Sequence, residues 1–176
     1  ALFPDQAKYI RIYTPTNEFI KAAYTQFNYS FTLTPRALAK PGKQNSFFSK
    51  FILQSSLQTF KKELSNGDPV INPIKSAVTD TTLINLNYLV NNTLSYDRYS
   101  TVWGIDIANL VSYNKSLLTY GFETGQRKEW MLKGRVNIAK LYTLELVQKL
   151  NNNNLLTPGF SNRNYAVKGY EASPRL

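Results

Sequence analysis

The segment from Leu83 to Tyr99 constrains this chain more than any other. Ile84, Leu86, Tyr88, Val90, Leu94 and Tyr96 recur at every second position, interrupted only by Asn92. Asn85, Asn87, Asn91, Thr93, Ser95 and Asp97 fill the alternate positions, interrupted only by Leu89. A strand turns successive side chains to opposite faces, so the segment has one apolar and one polar wall. A soluble strand is usually about 5–6 residues long. This alternation runs about three times further, which a compact soluble sandwich rarely needs.

The same pattern recurs. From Tyr24 to Thr34, Phe27, Tyr29, Phe31 and Leu33 oppose Gln26, Asn28, Ser30, Thr32 and Thr34, with no charge between Lys21 and Arg36. From Thr101 to Val111, Trp103, Ile105 and Ile107 oppose Gly104, Asp106 and Ala108. From Glu129 to Ile138, Trp130, Leu132, Val136 and Ile138 share a face with Gly134, opposite Met131, Lys133, Arg135 and Asn137. Ser116 to Glu123 and Tyr165 to Arg175 are further strand candidates, with Pro174 marking the latter as an edge.

Two segments fit either strand or helix. Phe47 to Lys62 alternates, but Ile52 and Phe60 break the pattern. Leu141 to Leu150 alternates too, yet Glu145 and Lys149 sit at helical i,i+4 spacing. Its alternating neighbours favour a strand. Turns are expected at Tyr113-Asn114-Lys115, Thr124-Gly125 and Ala139-Lys140. Loops are expected over 64–80, around Asn66-Gly67-Asp68-Pro69, and over Asn151–Asn154 and Thr157-Pro158-Gly159; residues 1–17 read as an irregular N-terminal segment. No βαβ spacing occurs, so the expected fold is all-β: an antiparallel meander of about seven or eight long strands in a single β-domain, 1–176.

Composition removes several chemistries. The 176 residues contain no Cys and no His, which excludes disulfides, thiolate or imidazole metal sites and the Ser-His-Asp triad. Charged residues are 18%, and Asn carries much of the polarity. The net charge of +10 would suit a polyanion, but Lys61-Lys62 and Arg127-Lys128 are the only adjacent basic pairs, so the charge reads as scattered. No window approaches the roughly 18 apolar residues of a membrane helix. A membrane β-strand needs only about 9–11. Ala1 is not an initiator Met, so the chain reads as a mature protein or an excised fragment.

Long strands with one apolar face serve either a soluble barrel or sandwich, or a membrane barrel with the apolar face towards lipid. The polar face is mostly Asn, Gln, Ser and Thr, which suits a wet interior better than a solvated exterior. Aromatics near segment ends, at Tyr24, Tyr96, Tyr99, Trp103, Tyr120, Trp130 and Tyr142, suit interfacial girdles.

Ser116-Leu117-Leu118-Thr119-Tyr120-Gly121-Phe122-Glu123, the run from Arg127 to Ile138, and Phe160 to Tyr165 continuing to Ser173-Pro174-Arg175-Leu176 resemble strand pairs of large outer-membrane β-barrel proteins of Bacteroidota-type bacteria. The resemblance covers mainly residues 80–176 and, more weakly, 18–62. It implies a transmembrane β-barrel, or part of one, in a bacterial outer membrane, acting as the wall of a channel, transport or secretion pore. Such barrels usually end on an aromatic residue, and this chain ends on Leu176, so it is expected to be a segment of a larger barrel. The expected lipid-facing residues are Phe27, Tyr29, Phe31, Leu86, Tyr88, Trp130 and Leu132. The expected lumen-facing residues are Asn85, Asn87, Asn91, Lys133 and Arg135, with Lys133 or Arg135 pairing with Glu145 on the next strand. Outer-membrane lipid, further barrel strands and other membrane-complex subunits are the expected partners.

No catalytic, cofactor or metal residues are expected. Walker, dinucleotide and EF-hand sequences are absent. Asp97 with Asp106 and Glu123 with Glu129 are the nearest carboxylate pairs for glycoside chemistry, but solvated or ion-paired carboxylates explain them more simply. Ser46-Phe47-Phe48-Ser49-Lys50 offers a Ser and a Lys without supporting context, and sequons at Asn28, Asn91 and Asn114 are expected by chance in an Asn-rich chain. Trp130 faces away from Lys133 and Arg135 in a strand, so stacking on nucleic acid is not expected. The alternative reading is a soluble basic all-β module that binds polyanions or nucleic acid.

Overall fold

The computed structural model describes residues 14, 19–38, 46–65, 81–138 and 141–176. They form a seven-stranded antiparallel sheet in simple sequence order. The strands are β1 (Ala22–Leu33), β2 (Phe51–Leu64), β3 (Leu83–Tyr96), β4 (Trp103–Leu118), β5 (Gly121–Ile138), β6 (Tyr142–Leu156) and β7 (Tyr165–Arg175). A short helix α1 (Pro35–Leu38) and a 3-10 turn (Phe47–Lys50) lie between β1 and β2, and a second 3-10 turn (Ser161–Arg163) precedes β7. This is the expected meander, with each strand bonded to its sequence neighbours. The sheet is not closed: among the described residues β1 pairs only with β2 and β7 only with β6.

Phe47 to Lys62 divides into the 3-10 turn and β2, and Tyr142 to Leu150 lies within β6, so neither segment forms an α-helix. Three expected breaks fall inside strands instead. Tyr113-Asn114-Lys115 pairs continuously with Leu86–Tyr88 and with Thr124–Gln126. Thr124-Gly125 therefore lies within β5, and the true reversal is the two-residue turn Thr119-Tyr120, closed by Leu118 opposite Gly121. Gly121 has φ of 124°, a backbone state that favours glycine. Asn151–Asn154 is strand rather than loop. It pairs with Gln126–Glu129 on one side and Ala166–Gly169 on the other, and two complete ladders outweigh the low strand propensity of Asn. Of the expected 64–80 loop, Leu64 ends β2, where the register shifts at Lys62/Glu63; residues 66–80 lie outside the described residues, as do Ala139-Lys140 and all of 1–17 except Thr14. Pro174 does lie on an edge strand.

Among the described residues the sheet has no second layer. Among the described residues only Ile52, Leu83 and Val147 are buried apolar side chains. Large apolar residues are instead exposed along a whole face: Trp130 at 55%, Tyr142 at 60% and Leu150 at 56%. Buried Ile52, Ser95, Gly104 and Val147 all project from the opposite face. The opposite face is therefore the more sheltered of the two.

At one end of the sheet the β6–β7 loop packs onto the β4–β5 turn. Thr157 is fully buried, donating from its backbone N to Asn164 Oδ1 at 2.6 Å and from Oγ1 to Glu123 Oε2 at 3.2 Å. Tyr120 meets Phe160 edge-on at 4.6 Å. At the other end, the β3–β4 turn turns at Asp97, whose φ is 53°.

Candidate functional site

The register sorts the strand side chains onto two faces of different chemistry. On the first face lie all seven of the residues expected to meet lipid: Phe27, Tyr29, Phe31, Leu86, Tyr88, Trp130 and Leu132. All five residues expected to line a lumen, Asn85, Asn87, Asn91, Lys133 and Arg135, lie on the second. Tyr24 joins the polar face, beneath Lys62 at 5.2 Å, rather than the expected girdle. Tyr99 and Tyr120 lie in turns.

The apolar face carries a continuous band. It runs through Phe27–Leu33, Phe51–Leu57, Leu86–Tyr96, Trp103–Tyr113, Trp130–Ile138 and Tyr142–Leu150, taking alternate residues. No charged side chain falls inside it. The charged strand residues of this face, Lys61, Glu63, Lys115, Lys128 and Lys168, all lie beyond its margin, towards the β4–β5 turn end. Several polar residues within the band have partners. Ser55 donates to Asn92 Oδ1 at 2.7 Å, Tyr29 OH lies 3.1 Å from Ser55 Oγ, and Asn109 donates to the Glu129 carbonyl at 3.3 Å. Burying such groups without partners costs several kcal/mol in hydrocarbon, on the order of 2–7.

The band crosses the strands diagonally. Leu33 on β1 is level with Leu53, Leu94, Ile107, Leu132 and Gln148. At β6 the upper margin lies at Tyr142, six residues beyond Gln148. Six residues advance about 20 Å and five strand steps about 24 Å, so the margin is inclined by about 40° to the line perpendicular to the strands. Upper-margin aromatics touch in series: Phe47 with Phe51 and with Tyr96 at 5.3 Å, Phe51 with Tyr96 at 4.8 Å, and Tyr96 with Trp103 at 5.4 Å. Near the lower margin Tyr88 stacks on Tyr113 at 5.0 Å.

The polar face interleaves charges of both signs. Lys62, Arg127, Lys133, Arg135, Lys149 and Arg175 share it with Asp106, Glu123, Glu129, Glu145 and Glu171. Lys133 pairs with Glu145 at 3.0 Å, as expected; Arg127 pairs with Glu129 at 2.7 Å and Lys149 with Glu171 at 3.5 Å. A recess of about 250 Å³ beside the β3–β4 turn is lined by Arg98, Tyr99, Gly104, Asp106, Lys133 and Arg135. Asp106 Oδ1 is buried there with no hydrogen-bond partner among the described residues.

The turn itself is held from both neighbouring strands. Lys50 Nζ meets Asp97 Oδ2 at 3.0 Å, while the Asp97 backbone N donates to the Lys50 carbonyl at 3.0 Å. The hydrogen bond to Asp97 holds the Lys50 ammonium above its ordinary pKa. From the other side Arg135 donates to the Arg98 and Ser100 carbonyls, and Asn137 Nδ2 donates to the Thr101 carbonyl at 2.8 Å.

Three of the four carboxylates considered for catalysis are engaged by neighbouring side chains. Asp97 is engaged by Lys50, Glu129 by Arg127, and Glu123 by Thr157 and by Arg163 at 3.7 Å. Among the described residues no group of His, Cys, Asp or Glu could hold a metal ion. No helix among them is long and apolar enough to cross a membrane. The gathering of Lys61, Lys115, Lys128 and Lys168 on one face, towards the β4–β5 turn end, was missed in the sequence, because it emerges only once the ladders set the strands in register.

No family model, curated protein or solved structure matches the chain. Fold and surface together define a class: an all-β antiparallel meander, seven strands in one sheet, with an uncovered apolar band.

Proposed function

We propose that this chain forms part of the wall of a bacterial outer-membrane β-barrel, with its apolar band in lipid and its polar face towards an aqueous interior. One observation carries the reading: the uncovered band is free of charge, and its margin is inclined as a membrane plane crossing tilted strands would be. Membrane barrel strands tilt about 35–45°, and the inclination here is about 40°. Ten residues of such a strand, as from Trp103 to Tyr113, rise about 25 Å along the membrane normal, the height of the outward apolar band of outer-membrane barrels. The uncovered apolar surface also greatly exceeds what soluble monomers usually expose.

The open edges fit the same reading. Unpaired backbone groups are not tolerated in hydrocarbon, so the free edges of β1 and β7 pair with further strands or with the edges of another copy of the sheet. The protein's part is structural. Transport, channel or secretion activity belongs to the closed pore that such strands complete.

The test is folding of residues 1–176 in buffer and in detergent, followed by circular dichroism and heat-modifiable gel migration. β-structure that forms only with detergent or lipid supports the wall. A folded, monodisperse protein in plain buffer rejects it and favours the soluble basic module, whose polyanion binding would fall steeply with salt.

A further inference from the structure

We infer that the polar face of β1–β4 holds a binding site for a neutral oligosaccharide, centred on Phe60 and the amides beside it. The inference rests on the reading that this face borders water, and adds which solute it takes.

The polar face is not uniform. On β5–β7 it carries nine charged strand residues of mixed sign. On β1–β4 it carries two, Lys62 and Asp106, towards opposite ends of the strands. The ground between them is uncharged, and register places its chemistry. Gln26, Phe60, Asn87 and Asn114 stand in a single row across the four strands. Asn28, Gln58, Leu89 and Ser112 form the next row. Neighbouring strands lie about 4.8 Å apart, so each row spans about 14 Å. Together the two rows line a hollow of about 380 Å³.

Part of this lining is pre-oriented. Asn87 Nδ2 donates to Asn85 Oδ1 at 2.8 Å, Asn85 Nδ2 to Ser116 Oγ at 2.7 Å, and Ser116 Oγ to Asn114 Oδ1 at 2.9 Å. At the head of this chain Asn87 Oδ1 is buried with no hydrogen-bond partner among the described residues. The lining therefore lacks a donor, not a counter-charge. Gln26, Asn28, Gln58 and Asn114 are exposed, and each amide can both donate and accept. Phe60 sets an apolar ring among them, with Tyr24 beside it at 5.9 Å. A neutral sugar matches this mixture. Its hydroxyls donate to and accept from amides, and the C–H face of its ring covers an aromatic. An ionic solute would lose hydration in the hollow without gaining a partner of opposite charge.

The experiment titrates maltotriose and cellotriose into residues 1–176, folded in a detergent without a sugar headgroup, and follows saturation-transfer NMR of the sugar. The variants are Phe60→Leu, Asn114→Ala and, on the charged half, Lys149→Gln. Heat-modifiable gel migration reports that each variant folds. The inference expects saturable binding of at least one sugar, unchanged by salt. Phe60→Leu and Asn114→Ala should each weaken it about three- to tenfold, and Lys149→Gln should leave it as it is. Trigalacturonate, a charged saccharide of similar size, and an uncharged capped peptide of glycine and asparagine should bind more weakly. Absence of saturable binding, or binding unchanged in both Phe60→Leu and Asn114→Ala, overturns the site and leaves the wall standing. Tighter binding of trigalacturonate or of the peptide reassigns the face to an anion or to polypeptide, and overturns the site. Sugar binding by a chain that folds in plain buffer keeps the site and overturns the wall. A chain that folds in neither medium overturns both.

Discussion

Gly104 lies directly opposite Arg135 in the β4–β5 ladder, and the guanidinium turns to the backbone of the β3–β4 turn, 3.0 Å from the Arg98 carbonyl and 3.1 Å from that of Ser100. The space depends on the absent side chain. A Cβ at Gly104 would come within 3.2 Å of the Asp97 carbonyl oxygen and 3.6 Å of the Arg135 guanidinium. Gly104→Val should therefore destabilise the folded protein by about 1–3 kcal/mol, as overpacking does. Arg135→Ala should cost about 1–2 kcal/mol through the lost charged donors. Urea unfolding in detergent, followed by gel migration, measures both. A Gly104→Val midpoint equal to wild type would show that the turn yields without penalty.

The two faces should respond oppositely to charge. Leu132→Arg places a cation in mid-band and should cost about 2–4 kcal/mol in lipid. Met131→Arg, one residue away on the charged polar face, should cost well under half of that. Leu86→Arg, ten residues from Tyr96 and thus at the lower margin, should fall near 0–1 kcal/mol. Equal costs at the three positions would remove lipid from the account of this face.

Ser55 and Asn92 test how polar groups persist within the band. Ser55→Ala alone strips Asn92 Oδ1 of its donor and should destabilise by about 1–3 kcal/mol. Replacing both, as Ser55→Ala with Asn92→Leu, should recover most of the loss, because the pair leaves together. A double variant as unstable as the sum of the singles would mean that the two groups do not interact.

Lys50 carries the pH dependence of the β3–β4 turn. Its folded-state pKa is raised, chiefly by the hydrogen bond to Asp97. The contact thus contributes fully below the ordinary lysine range and is lost as pH rises through the higher folded value. Titration of the Lys50 ammonium by NMR should give a higher midpoint in wild type than in Asp97→Asn. Identical midpoints would dissociate the shift from this contact.

Much of the sheet was readable from alternation alone. β3 and the Glu129–Ile138 part of β5 were visible because their apolar positions recur with single breaks only, and residues read as sharing a face do share one. The first half of β5 was hidden because Thr124, Gln126 and Lys128 interrupt its apolar positions. The Asn151–Asn154 tail of β6 was hidden because Asn reads as turn unless both ladders beside it are known. The reversal at Thr119-Tyr120 was missed for a related reason. Tyr113-Asn114-Lys115 looks locally more turn-like, whereas the positive φ of Gly121 leaves no mark in the sequence beyond the glycine itself. Charge misled most. Lys61, Lys115, Lys128 and Lys168 are scattered along the chain, and register alone gathers them.

The strand count is odd, which gives the sheet a polarity. β1 and β7 point the same way, so the backbone enters at one rim and leaves at the opposite one. Joining these two strands to each other would need a parallel seam within an otherwise antiparallel wall. Antiparallel closure instead demands an odd number of additional strands. If the band spans a bilayer, whatever is joined before β1 and whatever is joined after β7 stand in different compartments, and the chain stitches one side of the membrane to the other.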